Sequence, residues 1–167
     1  AAAARHLRCH EGRGGLYELR TLDRPAVIAL REGQATSYGV LVSLDASSAT
    51  LLANGRRQVV DTGELATRMD GRFTTLWRYP TGFREQLGPG DHGADVDLLA
   101  SRLAAAGEAK PRPAGARFDA ALQDALRAFQ RRQQLSADGL AGPLTLMRLN
   151  QPGGANEPHL AAKKNGM

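Results

Sequence analysis

The chain has 167 residues, 42% of them hydrophobic, with 22 Lys and Arg against 17 Asp and Glu, a net charge of +5 and a pI of about 10.0. That length supports one large or two small cores, and no apolar run approaches the ~20 residues that a membrane helix needs. The basic excess is spread, with 12 basic against 8 acidic residues between Arg5 and Arg84 and 10 against 9 between Glu85 and Met167, and Arg56-Arg57 and Arg131-Arg132 as the tight pairs, which argues against a dedicated nucleic-acid face.

The stretch from Ala1 to Cys9 lacks the apolar block of a signal peptide, and an opening of four alanines without Met reads as a cut or processed start. Cys9 is the single cysteine, which rules out an intrachain disulfide. His6, Cys9 and His10 lack a fourth ligand at finger-like spacing, so no metal site and no cofactor are expected. Up to Arg24 no regular element is assigned.

From Pro25 the pattern is that of strands. Ala26–Leu30 and Tyr38–Leu44 are short apolar runs rich in β-branched residues. Ala49–Ala53 and Arg56–Val60 flank Asn54-Gly55, a hairpin signal because a type I′ turn needs positive φ at both central residues. Asp61-Thr-Gly-Glu64 opens a helix carrying Leu65, Ala66 and Met69, and Phe73–Arg78 returns to strand, with Trp77 as a core anchor. A linker follows near residues 81–88.

The last half reads as three helices. Val96, Leu99 and Leu103 stripe the first, with Asp95 and Asp97 at its positive end. Phe118, Leu122, Ala125, Leu126 and Phe129 stripe the second. Gly142-Pro143 starts the third, because proline suits a first helical turn, and Leu146 and Leu149 form its buried side. Residues 153–167 read as a flexible tail.

Gly90 and Gly93, Val96, Leu99 and Leu103, Phe129-Gln130, Leu135, Asp138-Gly139, Gly142, Thr145 and Leu149 together resemble the peptidoglycan-binding domain family, whose pattern runs from a Gly-x-x-Gly start to Asp-Gly-x-x-Gly-x-x-Thr. Two departures stand out: Ala100 replaces a glutamine usual in the first helix, and the insert Glu108 to Ala116, with Pro111 and Pro113, lengthens the first loop. Each matched residue also has a structural role. Asp138-Gly139 makes a tight turn, Phe129 is core, and Gly142 and Thr145 are helix-start residues.

The first half resembles the later part of the bacteriocin-processing cysteine peptidases, a papain-like fold, through Arg24-Pro25 to Ile28, Tyr38 to Val42, Ala49 to Leu52, Glu64-Leu65 and Gly71 to Trp77. The chemistry does not carry over. Such catalysis needs a thiolate, a His and a group that orients the His, and the chain has Ser37-Tyr38 where the His would open a strand and Ala53-Asn54 near the Asp position. Cys9 lies too close to the Arg-Pro strand to be the nucleophile, and the oxyanion Gln has no counterpart near Ala3.

The fold class expected is therefore α+β: a degenerate papain-like, β-rich domain over residues 1–84 and a three-helix peptidoglycan-binding domain over 85–152. In that order the two resemble the periplasmic end of the general secretion pathway protein A family of type II secretion, where an ATPase and one membrane helix precede such a segment. The resemblance implies a periplasmic, non-catalytic part of an inner-membrane protein that binds peptidoglycan, anchors its complex and assists secretin assembly. Partners would be peptidoglycan, the secretin and other secretion components, with self-association on the wall. The expected site is a shallow groove between the second and third helices, with the loop Gln133 to Leu140 as its rim and Gln130, Arg131, Gln134, Asp138 and Arg148 supplying donors and acceptors. Two other readings stand beside it: a wall hydrolase with a targeting module, and a regulatory module that binds protein.

Overall fold

A computed structural model describes residues 7–79, 84–150 and 159–160. Within them the chain forms two compact units, one of residues 7–78 with 159–160 and one of residue 79 with 84–150. His6, most of the expected tail and residues 81–83 of the expected linker fall outside the described residues.

The first unit is a fully antiparallel sheet. Its strands are β1 (Leu7–Arg13), β2 (Ala26–Glu32), β3 (Ala35–Leu44), β4 (Ser48–Ala53), β5 (Arg56–Asp61) and β6 (Met69–Arg78), in the spatial order β1-β6-β2-β3-β4-β5. Residues directly opposed across an antiparallel pair share a face. One face gathers Ile28 opposite Phe73 and Ala26 opposite both Thr75 and Leu41, and with Leu51 and Trp77 these are buried. Buried Leu19 and Leu22 come from α1 (Leu16–Leu22), and buried Leu65 from α2 (Thr62–Arg68). The other face leaves Val27, Tyr38, Leu52 and Leu76 exposed.

The hairpin joining β4 and β5 has the expected turn, with φ of 51° at Asn54 and 73° at Gly55. The start of α2 is also as expected: the Asp61 carboxylate accepts from the Gly63 and Glu64 amides at 2.7 and 3.0 Å. Met69, read as the last helical apolar residue, instead opens β6.

The larger difference lies before Arg24. The sequence reading assigns nothing regular there, yet β1 pairs with β6 along its whole length, from Leu7 opposite Arg78 to Arg13 opposite Arg72. The segment Leu-Arg-Cys-His-Glu-Gly-Arg is an edge strand. Backbone bonds hold it, and its polar side chains carry no apolar alternation for a pattern argument to find.

In the second unit α3 (Ala94–Ala105), α4 (Ala120–Arg132) and α5 (Pro143–Asn150) enclose Leu87, Val96, Leu99, Leu103, Phe118, Leu122, Leu126, Phe129, Leu146 and Leu149. Phe118 is buried but lies outside α4, which is capped by Asp119: its carboxylate accepts from the Leu122 amide at 2.9 Å. Phe118 thus reaches the core from the residue before the cap.

Candidate peptidoglycan-binding site

The entry to α3 is organised by one arginine. Arg84 donates to both Asp95 oxygens at 2.7 and 3.0 Å, to Asp91 Oδ1 at 2.8 Å and to the His92 carbonyl at 2.8 Å. A residue read as the end of the first domain is therefore bonded into the second. Gly93, the N-cap, has φ of 118°, a value that L side chains rarely adopt, so this turn requires glycine.

Hydrogen bonding to Arg84 holds the Asp95 carboxyl below the usual carboxylate range. Because the folded value is the lower one, the stability it contributes is fully present above the unfolded Asp value of about 3.9 and is lost as pH falls through the folded value. Asp95→Asn should flatten the acid limb of stability against pH, measured as urea midpoints from neutral pH down through the carboxylate range. An unchanged acid limb would remove the ion pair from the account of this turn.

The groove expected between α4 and α5 is occupied at Gln130 by the side chain itself. Gln130 is 1% exposed. Its Nε2 donates to Asp138 Oδ1 at 2.8 Å and to the Leu140 carbonyl at 3.0 Å, and stands 3.2 Å from Thr145 Oγ1, while its Oε1 accepts from the Gly139 amide at 2.9 Å. An amide offers two hydrogens and one oxygen, so little capacity is left. The structure thus places Gln130 inside the fold, where it braces the 138–140 turn against α5.

Asp138 is partly committed in the same way, since its Oδ1 also accepts from the Leu140 amide at 2.9 Å. Gly139 has φ of 76°, and a Cβ there would lie 2.8 Å from Gln123 Cγ. Glycine is thus required both by conformation and by the close approach of α4. Arg148 is half-buried in the last turn of α5, with its Nε enclosed by protein. The exposed members of the expected set are Arg131, in the last turn of α4, and Gln134, whose φ of 56° ends that helix, with Asp138 beside them on the loop.

A second concavity was not foreseen. The insert at 108–116 folds back on α3 and forms an open groove of about 530 Å³. The Asp97 carboxylate accepts from the Gly115 amide at 2.9 and 3.0 Å, Arg112 pairs with Asp119, and the Phe118 amide donates to the Asp91 carbonyl at 2.8 Å. The sequence signal was the proline-bearing insert. Its partners on α3 lie far from it in sequence.

In the first unit, Cys9 is exposed on β1, and His10, next along the strand, points to the opposite face against Phe73, with ring centroids 6.5 Å apart. Desolvation lowers the His10 pKa. The His159 ring stands 2.9 Å from Asp23. Among the described residues no three His, Cys, Asp or Glu side chains are grouped to hold a metal.

Comparison with known proteins places a class on the second unit. Residues 92–149 match the family described as "Putative peptidoglycan binding domain", as the Gly-x-x-Gly and Asp-Gly-x-x-Gly motifs implied. The chain is similar to the General secretion pathway protein A of Aeromonas hydrophila, at 39% identity over 155 residues, which is 92% of this chain and 28% of that protein. It is also similar to the crystal structure of a periplasmic domain of the EpsAB fusion protein of the Vibrio vulnificus type II secretion system, with a TM-score of 0.55 and 30% identity over 86% of this chain and 64% of that one. A third likeness, to the N-terminal peptidase C39 like domain of a toxin secretion ATP-binding protein from Vibrio parahaemolyticus, has a TM-score of 0.38 and 20% identity over 47% of this chain. The chain thus spans little more than a quarter of the Aeromonas protein's length. The α+β class expected from the sequence holds.

Proposed function

We propose that the chain is the periplasmic, peptidoglycan-holding part of a type II secretion protein, which binds the wall without cutting it. The observation that carries this is the family match over residues 92–149, on a unit whose motif residues Gln130, Asp138 and Gly139 are bonded to one another. Similarity to General secretion pathway protein A and to the EpsAB periplasmic domain supports the secretion context. Anchoring of an inner-membrane complex and help in placing the secretin are the roles that follow from that context.

The rim formed by Arg131 and Gln134, with Asp138 and Arg148 nearby in sequence or on α5, is the contact surface in this reading. Guanidinium groups match the carboxylates of the wall's peptide stems. One module binds weakly, and several copies on a repeating polymer bind through effective concentration, so self-association would raise retention without new contacts. Support for the non-catalytic reading comes from Cys9 and His10, adjacent on an edge strand, which point to opposite faces and so do not form a thiol–imidazole pair with each other.

Arg131→Ala should leave the melting temperature unchanged, since the side chain is exposed, and should lower retention on purified sacculi about threefold to tenfold at low salt. Co-sedimentation with the variant and the parent side by side reads both. Unchanged retention would move the contact surface away from this rim.

A further inference from the structure

We propose that the groove between α3 and the proline-bearing loop takes the peptide stem of peptidoglycan, with the stem's terminal carboxylate at Arg117. This rests on the wall-binding reading above and adds a second contact surface to the rim on α4.

The groove selects a peptide over a glycan. Much of its lining is small and apolar, with Ala100 and Ala104 on one side and Pro111 and Pro113 on the other, its polar side chains include Ser101 and Arg117, and no aromatic ring lines it. Sugar faces are held largely by ring stacking, and this groove has no aromatic ring to supply it. An extended peptide of small residues, such as one ending in alanine, fits a channel whose side chains leave room for its backbone.

The charge in the groove points the same way. Arg112 is committed to Asp119, and Asp97 to the Gly115 amide. Arg117 is exposed and has no hydrogen bond or ion pair with any described residue. Asp97 keeps its negative charge, but its oxygens already accept from the Gly115 amide, so Arg117 is the charged group left with open donors, and guanidinium binds carboxylate with two parallel hydrogen bonds. The loop is also fixed in advance. Two prolines and the ties to Asp97, Asp91 and Asp119 hold it, so binding does not have to order it.

The test is an NMR titration of the full chain with a soluble, alanine-terminated stem pentapeptide and with the same peptide amidated at its C terminus. The acid should shift the amides of Ser101, Ala104, Ala116 and Arg117, and the amidated peptide should bind at least about tenfold more weakly. Arg117→Ala should lose a similar factor, and Ser101→Phe, which fills the groove from an exposed helical position, should abolish the shifts with the melting temperature unchanged. Equal binding of acid and amide, or shifts confined to other residues, would overturn the proposal. Sacculi separate its failure from that of the wall-binding reading. If the parent chain pellets with sacculi but no pentapeptide enters the groove, only this proposal falls; if the parent does not pellet, the wider reading falls, and the peptide titration still decides the groove.

Discussion

Phe129→Ala is expected to unfold the helical unit at or near physiological temperature. The ring is 2% exposed, on the α4 stripe with Leu122 and Leu126, which are themselves 1% and 0% exposed. Truncating a buried aromatic costs about 3–5 kcal/mol, because the transfer term is lost and a cavity is left. A unit of this size has little stability in reserve. Urea denaturation followed by near-ultraviolet circular dichroism and amide dispersion should show the resonances of residues 84–150 collapsing, while those of the sheet unit persist. A loss below about 1 kcal/mol would mean that the core relaxes around the gap and that the stripe is not what holds this unit together.

Gln130→Ala should be nearly as damaging, by a different mechanism. Removing the amide strands the Gly139 N–H and the Leu140 carbonyl and frees the Asp138 carboxylate, all at a turn packed against α4. A buried group left without its partner costs about 1–3 kcal/mol, so a total of roughly 2–4 kcal/mol is expected. Gln130→Glu keeps the shape and is the sharper probe. It replaces two donors with acceptors facing Asp138 and the Leu140 carbonyl, so it should destabilise at neutral pH and recover in part on acidification. If Gln130→Ala instead kept full stability and lost only sacculus binding, the brace would be wrong and Gln130 would be a ligand contact after all. Its neighbour Arg131 is expected to give the reverse result, stability kept and retention lowered.

This contrast marks what was legible in the sequence. Gln130 lies four residues past Leu126, itself four past Leu122, so it sits on the buried stripe by helical spacing. Polarity suggested a ligand contact, whereas position placed the residue inside. Asn54-Gly55 and the Asp61 cap were readable because both are local, each fixed by a few adjacent residues. The β1 strand was not, since its pairing depends on backbone bonds to residues about sixty to seventy positions away, from Arg13 opposite Arg72 to Leu7 opposite Arg78, and its side chains carry no period. The groove behind the insert was hidden for a related reason. Pro111 and Pro113 announce a stiff loop, but where it lies depends on the bonds from Gly115 to Asp97 and from Phe118 to Asp91. Arg84 was misassigned because a lone arginine in a Gly- and Pro-bearing stretch looks like linker until its four bonds are seen.

The charge of the chain fits the same account. A net charge of +5, its basic residues spread along the sequence, gives long-range attraction to an anionic polymer that salt screens beyond a Debye length of about 10 Å at 0.1 M. Specific retention then falls to the few side chains left unspent by the fold.

The most direct measurement is incubation of the full chain with intact sacculi, followed by centrifugation and chromatography of the supernatant for released muropeptides. The account predicts that the chain is recovered in the pellet, that the supernatant holds no released fragments, and that Cys9→Ser changes neither result. Fragments released by the parent and not by Cys9→Ser, or a chain that stays in the supernatant, would contradict it.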